Sequence, residues 1–344
     1  MKLDVDNVAQ KNDLVEIVEK SGGHLRRVAG EWRGPCILHK GNNLNAFAIY
    51  NGSDGRQRWK CFTSDCGSGD VYEFIMKFNN CDFVTAYRIL GGEENPDPQL
   101  VRQAASERTE RAAVELAAQI AKAQATLAEL RHAQAWIKYH EQLDVEPSRR
   151  ELWAGRGIPE VWQDLWSLGY DPSFTVSTDI GLWRTPTLSI PIFAEGNPAE
   201  PISLRHRLLN PPTPGDKYRP DRPGLKAVPF IADPENKPEN VLVVEGEVKS
   251  MVAYITLDSV KWQVMGIPGK SGKQTWLDML PQLIGRQVVI CLDPDALPEA
   301  LEMARAVGGR VMELTGKIDD IINAGDLDRE MLRRMIRASR KVSS

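Results

Sequence analysis

Two apolar runs of strand length in this chain both stop at acid. Val241 to Val244 is followed by Glu245, and Val288 to Leu292 by Asp293 and Asp295. Unbroken apolar runs of this length predict strands buried on both faces, as in a parallel sheet. Gly246 permits a tight turn after the first run, and Val248 to Ile255 reads as the helix that follows it. Residues two apart on an extended chain project to the same side. If the strands are neighbours, Glu245, Asp293 and Asp295 converge at the carboxyl edge of the sheet, where open α/β sheets bind ligands. Close carboxylates repel unless a cation neutralises them. Hard oxygen donors suit Mg²⁺ or Mn²⁺. A solvated cap explains any one of these acids alone, but not acids closing both runs.

Toward the amino terminus the pattern changes. Val8 to Arg27 has mixed helical periodicity. Asn45 to Tyr50 and Arg56 to Phe62 read as strands joined by the turn sequence Asn51-Gly-Ser-Asp-Gly55, a hairpin signal. Cys36-Ile-Leu-His39 precedes the hairpin, and Cys61-Phe-Thr-Ser-Asp-Cys66 closes it. Three thiolates and one imidazole complete a tetrahedral zinc site, so the segment predicts a zinc ribbon that needs its metal to fold. Arg56, Arg58 and Lys60 alternate along the second strand and share a face. Phe62 extends that face and Trp59 points the other way. Basic residues with a nearby aromatic suit single-stranded nucleic acid. A solvated strand face would carry the same residues. Val71 to Lys77 and Phe83 to Leu90 predict helices, and Cys81 lacks a partner in the ligand pattern and reads as packing.

Gly91 to Pro98 is a linker by composition. Beyond it, Leu100 to Leu143 is rich in Ala, Gln, Glu and Arg. Leu116, Ile120, Ala123, Leu127, Leu130 and Ile137 form a three-four stripe, predicting one or two long helices with a packing face. From Pro201 to Ala227 the basic residues are Arg205, Arg207, Lys217, Arg219, Arg222 and Lys226, against Asp216 and Asp221. A positive ridge near a metal site suits a polyanionic template and triphosphates. Gly266 to Lys273 imitates a phosphate-binding P-loop but misses its spacing by one, with Gln274 where the hydroxyl should stand.

The 344 residues predict two or three domains. A hydrophobic share of 42% and a charged share of 26% are ordinary for a soluble protein. The sequence has neither a signal peptide nor an apolar run of membrane-spanning length, which predicts a cytoplasmic protein with no membrane partner. The net charge of -4 means that any basic surface is local. Five cysteines, three of them in the metal pattern, fit a reducing compartment rather than a disulfide framework.

Glu245-Gly246 followed by Asp293-Pro294-Asp295 resembles the Toprim domain, shared by bacterial-type primases, topoisomerases and some nucleases. The likeness runs from about Val241 to Leu327. Pro35, the four zinc ligands and the exit Gly67-Ser-Gly-Asp70 resemble the CHC2-like zinc-binding domain of DnaG-type primases, although the second knuckle there is usually Cys-x-x-Cys. Arg156-Gly157-Ile158, Leu168-Gly169-Tyr170, the strands Ser189 to Phe193 and Ile202 to Leu208, and Lys217-Tyr218 resemble the amino-terminal half of the primase core. The resemblance implies that Arg207 contacts phosphate, with Lys217, Arg205 and Arg219 near template or nucleotide, and that Lys270 and Lys273 lie near the metal. It further implies two divalent ions held by Glu245, Asp293 and Asp295, with Asp319 or Asp320, of which Asp320 is the expected one, as an outer ligand. Departures from the pattern are Lys249 where an acid is common, Pro298 for a small residue, and Ile318 for Asp.

The expected fold is a multi-domain α/β protein. A zinc ribbon with helices occupies 1–95, a helical connector 96–150, and a basic mixed α+β subdomain 151–239. A Toprim domain with a mostly parallel sheet spans 240–327, and a helix 328–344. The expected function is DNA-templated synthesis of short RNA primers from NTPs, with structural Zn²⁺ and catalytic Mg²⁺ or Mn²⁺. The template is single-stranded DNA, and a replicative helicase would be met in trans. The chain stops soon after the Toprim region, which points to a phage, plasmid or other mobile element. The rival is a non-catalytic zinc/Toprim DNA-binding replication subunit, with Lys249 and Ile318 as its signs.

Overall fold

The computed structural model describes residues 4–28, 30–41, 44, 46–52, 55–62, 66–94, 96–178, 181–213, 217–225, 227–258, 260–268 and 279–342. Lys226, Asp216, Lys270 and Lys273 lie outside them. The chain forms two compact units, Met1–Ile120 with Thr178–Ile180, and Ala121–Ser177 with Gly181–Ser344.

In the first unit, β1 (Arg26–Val28), β2 (Glu31–Gly34), β3 (Phe47–Asn51), β4 (Gln57–Cys61) and β5 (Ser68–Gly69) make an antiparallel sheet in chain order. The alternation predicted for β4 holds. Trp59 pairs across from Ile49 and is fully buried, while Arg58 and Lys60 point to the other face. Trp59 stacks on Phe47 at 5.5 Å and meets Phe74 edge-on. Phe74 comes from the helix Val71–Asn79, whose start is set by a capping box between Asp70 and Glu73, worth about 1 kcal/mol. Cys81 packs against this core, as its lack of a partner implied.

The expected packing stripe beyond the linker holds only over its last turns, where Leu127 and Leu130 pack with Trp136, Leu204 and Leu225. Pro98–Ala133 is one helix, yet Val114, Leu116 and Ile120 are exposed and only Leu130 is buried. Ile137 is also exposed, on the separate helix Ala135–Glu141 that begins after a left-handed residue at Gln134. Ala, Gln, Glu and Arg have high intrinsic helix propensity. A three-four pattern among them therefore marks a helix without guaranteeing a neighbour for the stripe.

In the second unit, β6 (Gly169–Thr178), β7 (Gly181–Ala194), β8 (Asn197–Leu208) and β9 (Tyr218–Pro220) form a four-stranded sheet in that order. The remaining strands, β10 (Phe230–Ile231), β11 (Asn240–Glu245), β12 (Trp262–Ile267), β13 (Gln287–Cys291), β14 (Arg310–Val311) and β15 (Arg340–Lys341), order as β10-β12-β11-β13-β14-β15. The pairs β11/β12, β11/β13 and β13/β14 are parallel, and the two outer pairs antiparallel. Both faces of the central strands are covered, as the unbroken apolar runs predicted. Leu242 and Val244 join a core with Ile190, Met251 and Leu257. Val241 and Val243 join another with Met265, Ile290 and Met303. No helix among the described residues is long and apolar enough to cross a membrane.

One buried polar network ties β8 to its surroundings. His206 is fully buried and stacks on Phe174 at 4.0 Å. Its Nδ1 lies 2.7 Å from Thr187 Oγ1 and its Nε2 3.0 Å from Asp221 Oδ1, which also accepts from the Tyr139 hydroxyl. With His206 locked inward, strand alternation turns Arg205 and Arg207 to the opposite face.

Candidate functional site

The four predicted zinc ligands come together. The ligand atoms of Cys36, His39, Cys61 and Cys66 all lie within 4.8 Å of one another. His39 Nδ1 is 3.1 Å from Cys66 Sγ and 3.7 Å from Cys61 Sγ, and Cys36 Sγ is 3.8 Å from Cys66 Sγ. Cys36 follows β2 and Cys61 ends β4, so the sheet register sets half of the ligand geometry. Burial, followed by the neighbouring Cys61 and Cys66, pushes the Cys36 thiol up, against the pull of backbone N–H groups at His39 and Leu38. Zn²⁺ reverses that balance by binding the thiolates. The donor set fits structural zinc.

The basic strip on β4 is less open than its sequence implied. Arg58 pairs with Glu115 at 3.0 Å and Arg56 with Asp6 at 3.0 Å. Both line a cleft of about 350 Å³ that also includes Arg108, Arg111 and Glu107. Arg108 binds both Asp70 and Glu73 and lies over the Tyr72 ring. The exposed part of the strip is Lys60 with Phe62, and here the sequence reading missed Arg33. The Arg33 guanidinium and the Lys60 ammonium sit 4.7 and 5.2 Å from the centre of the exposed Phe62 ring. A basic residue two strands away in the sequence carried no local signal for that contact.

The carboxylate edge forms in the second unit. Glu245 ends β11, and β13, the strand leading to Asp293, is its parallel neighbour with Val244 opposite Cys291. Gly246, at φ 90°, turns the chain directly from Glu245 into the helix Glu247–Leu257, a backbone angle that side chains resist. The expected extended Asp-x-Asp is corrected. Strand β13 stops at Cys291, and Pro294–Ala296 is a 3-10 turn holding an exposed Asp295. Proline is pre-set for the first position of a helical turn, so Asp295 does not reach Asp293's side by strand alternation. Among the described residues, the Cys/His set is the sole group of three or more potential ligands within such a short span.

Lys249 occupies this edge. Its Nζ donates to Asp293 Oδ1 at 2.6 Å and Oδ2 at 2.7 Å. Asp319 and Asp320 begin the nearby helix Ile318–Asn323, Asp320 exposed and Asp319 half-buried. Burial and then Asp320 push the Asp319 carboxyl up, with Lys249 opposing. Asp319 Oδ1 is buried and accepts no hydrogen bond among the described residues. A buried carboxylate oxygen of that kind, with the Lys249 charge acting on it, has the donor chemistry that a hard divalent cation takes.

The basic ridge is built on β8 and β9. Arg207 Nη1 donates to the Tyr218 hydroxyl at 2.6 Å. Arg205 is held by Glu247, whose side chain is buried in the first turn of the helix after Glu245. Both guanidiniums lie against the Tyr218 ring, at 5.1 and 5.3 Å. Lys217 is exposed, Arg219 half-buried, and Arg222 pairs with Glu129 at 3.0 Å. The sequence reading did not assign a role to Arg156. Burial and then the nearby Arg207 charge push its guanidinium below the usual arginine range. The Tyr218 phenol and the Asp319 carboxyl act on it in the opposite direction. The turn Arg156-Gly157-Ile158 was itself visible in the sequence.

Comparisons with known proteins agree with part of this picture. The family model of the CHC2 zinc finger, the DnaG zinc ribbon, matches residues 1–104. A DNA primase of Clostridium acetobutylicum is 33% identical over 92 residues, or 26% of this chain and 14% of that protein. The matched segment thus spans about a seventh of that relative. Among solved structures, the zinc-binding and RNA polymerase domains of the Aquifex aeolicus primase are similar at 18% identity and a TM-score of 0.49, covering 99% of this chain and 87% of that one. The E. coli primase catalytic core is similar at 17% and 0.47, covering 61% and 79%. A DnaG primase catalytic domain bound to ssDNA is similar at 18% and 0.48, covering 64% and 83%. The resemblance to DnaG-type primases read from the ribbon ligands is borne out.

Proposed function

We propose that this chain, whose residues 1–104 match the DnaG-type CHC2 zinc ribbon, is a DNA primase that makes short RNA primers from NTPs on single-stranded DNA. The observation that carries the proposal is the pairing, in one chain, of that ribbon with a parallel sheet whose neighbouring strands lead to Glu245 and Asp293. In this reading the ribbon grips template through Lys60, Phe62 and Arg33, with Zn²⁺ as a structural ion. Arg207, Lys217 and Arg156 bind phosphates of template or NTP. Tyr218 and Glu247 hold Arg207 and Arg205 in place. Glu245, Asp293 and Asp295, with Asp319 or Asp320, are the oxygen donors for Mg²⁺ or Mn²⁺. Such an ion lowers the pKa of a primer 3′-hydroxyl and neutralises charge on the NTP phosphates.

The test is primer synthesis from labelled NTPs on single-stranded DNA with Mg²⁺ or Mn²⁺. Short RNA products that depend on template support it, and no product with either metal refutes it. The Lys249–Asp293 ion pair favours a second reading, a non-catalytic DNA-binding subunit. That reading predicts template binding without synthesis.

A further inference from the structure

Asp293 is not an open ligand. Both its carboxylate oxygens accept from the Lys249 ammonium, and the two side chains are only 12% and 14% exposed. Lys249 is no long surface side chain that strayed inward. It stands in the first turn of the helix Glu247–Leu257, which starts at Gly246 directly after Glu245. The partner helix face is packed, with Val248, Met251 and Val252 buried. The backbone therefore delivers a fixed positive charge to the strand end that carries Asp293. That charge also acts on Asp319, whose Oδ1 is buried without a hydrogen bond among the described residues.

A carboxylate chelated by an ammonium has its best lone pairs engaged, and a divalent ion must displace the ammonium to use them. Displacement would take a largely buried lysine from its hydrogen-bonded partner, which is unfavourable. We propose that Lys249 is the resident cation of this edge, standing on Asp293 in the place of a divalent ion, and that it reduces the number or tightness of divalent ions bound there. The inference rests on reading the edge as a divalent-cation centre. It gives Lys249 a defined role in place of simple decay: one of the two positive charges a divalent ion would bring is supplied by the chain.

The experiment counts Mn²⁺ bound to zinc-loaded full-length protein without nucleotide, by the loss of the free-ion EPR signal. It compares wild type, Lys249→Met and Lys249→Arg. Lys249→Met, similar in length but uncharged, should gain a Mn²⁺ site or bind about tenfold tighter. Lys249→Arg should match wild type, and Lys249→Met with Asp293→Asn should lose the gain. Equal Mn²⁺ binding by wild type and Lys249→Met would overturn the proposal. If Lys249→Met folds poorly because Asp293 is left unpaired, Mn²⁺ should raise its unfolding temperature more than that of wild type. Absence of such a rescue would overturn it equally. Primer synthesis by wild type is scored separately, so an inactive protein refutes the proposed function while the Mn²⁺ count still decides the role of Lys249.

Discussion

Arg207 on β8 and Tyr218 on β9 are register partners, and the guanidinium donates to the phenol oxygen at 2.6 Å. Burial raises the Tyr218 pKa further above neutrality, so the phenol stays intact as an acceptor. The hydrogen bond orients Arg207 while leaving other guanidinium N–H groups for a ligand.

Arg207→Ala should weaken binding of single-stranded DNA or NTP. It should lower the slope of log affinity against log salt by about one unit per lost phosphate contact. Arg156→Ala should do the same, and Tyr218→Phe should have a smaller effect. Titrations at several salt concentrations check this. An unchanged slope and affinity for both arginine variants would remove the ridge from the binding site.

The zinc prediction is a loss of metal with loss of fold. Purified protein should carry one Zn²⁺ per chain, and Cys61→Ala should release it. Because the ribbon's small core depends on its metal, the variant should become protease-sensitive within its first hundred or so residues. Metal analysis with limited proteolysis reads both effects, and full zinc retention would refute the ligand set.

Removing the Glu245 charge separates chemistry from packing. Glu245→Gln keeps the shape of the strand end, so fold and DNA binding should persist. Primer synthesis should fall by roughly 10² to 10⁴ or more if the carboxylate serves a metal-dependent step. Asp293→Asn together with Asp295→Asn should have a comparable effect. Retained activity in Glu245→Gln would show that the convergence of the two strand ends does not carry catalysis.

Acid stability should depend on Asp221. Burial alone would raise its pKa, but the His206 hydrogen bond and charge, the Tyr139 hydroxyl and Arg222 outweigh it and hold the carboxyl below its usual range. A lowered folded-state pKa stabilises the protein above the unfolded value of about 4, and that stability disappears as pH falls through the folded value. Wild type should therefore lose stability below about pH 4 more steeply than Asp221→Asn. At neutral pH the variant should be weaker by about 1–3 kcal/mol, because it breaks a buried network. Urea unfolding at pH 7 and in the acid range checks both statements.

Several features were legible because they depend on short-range pattern. The apolar runs before Glu245 and Asp293 had to be buried on both faces, and β11 and β13 are parallel neighbours at the centre of their sheet. The alternation of Arg58, Trp59 and Lys60 placed the tryptophan inside. The spacing of Cys36, His39, Cys61 and Cys66 around a hairpin determined one metal cluster.

What the tertiary structure alone decided is which charges meet. Period-two and three-four patterns specify an element and its faces through local backbone geometry, but not the element lying opposite. Within one three-four stripe, Leu127 and Leu130 met Trp136, Leu204 and Leu225 while Leu116 and Ile120 stayed exposed. Pro294 turned Asp295 out of the extended line assumed for it. Lys249 reached Asp293, and Arg156 came under the influence of the Arg207 charge, only once distant segments had packed together. Such pairings follow from the summed burial of whole strands and helices, so no window of sequence around either residue contains them.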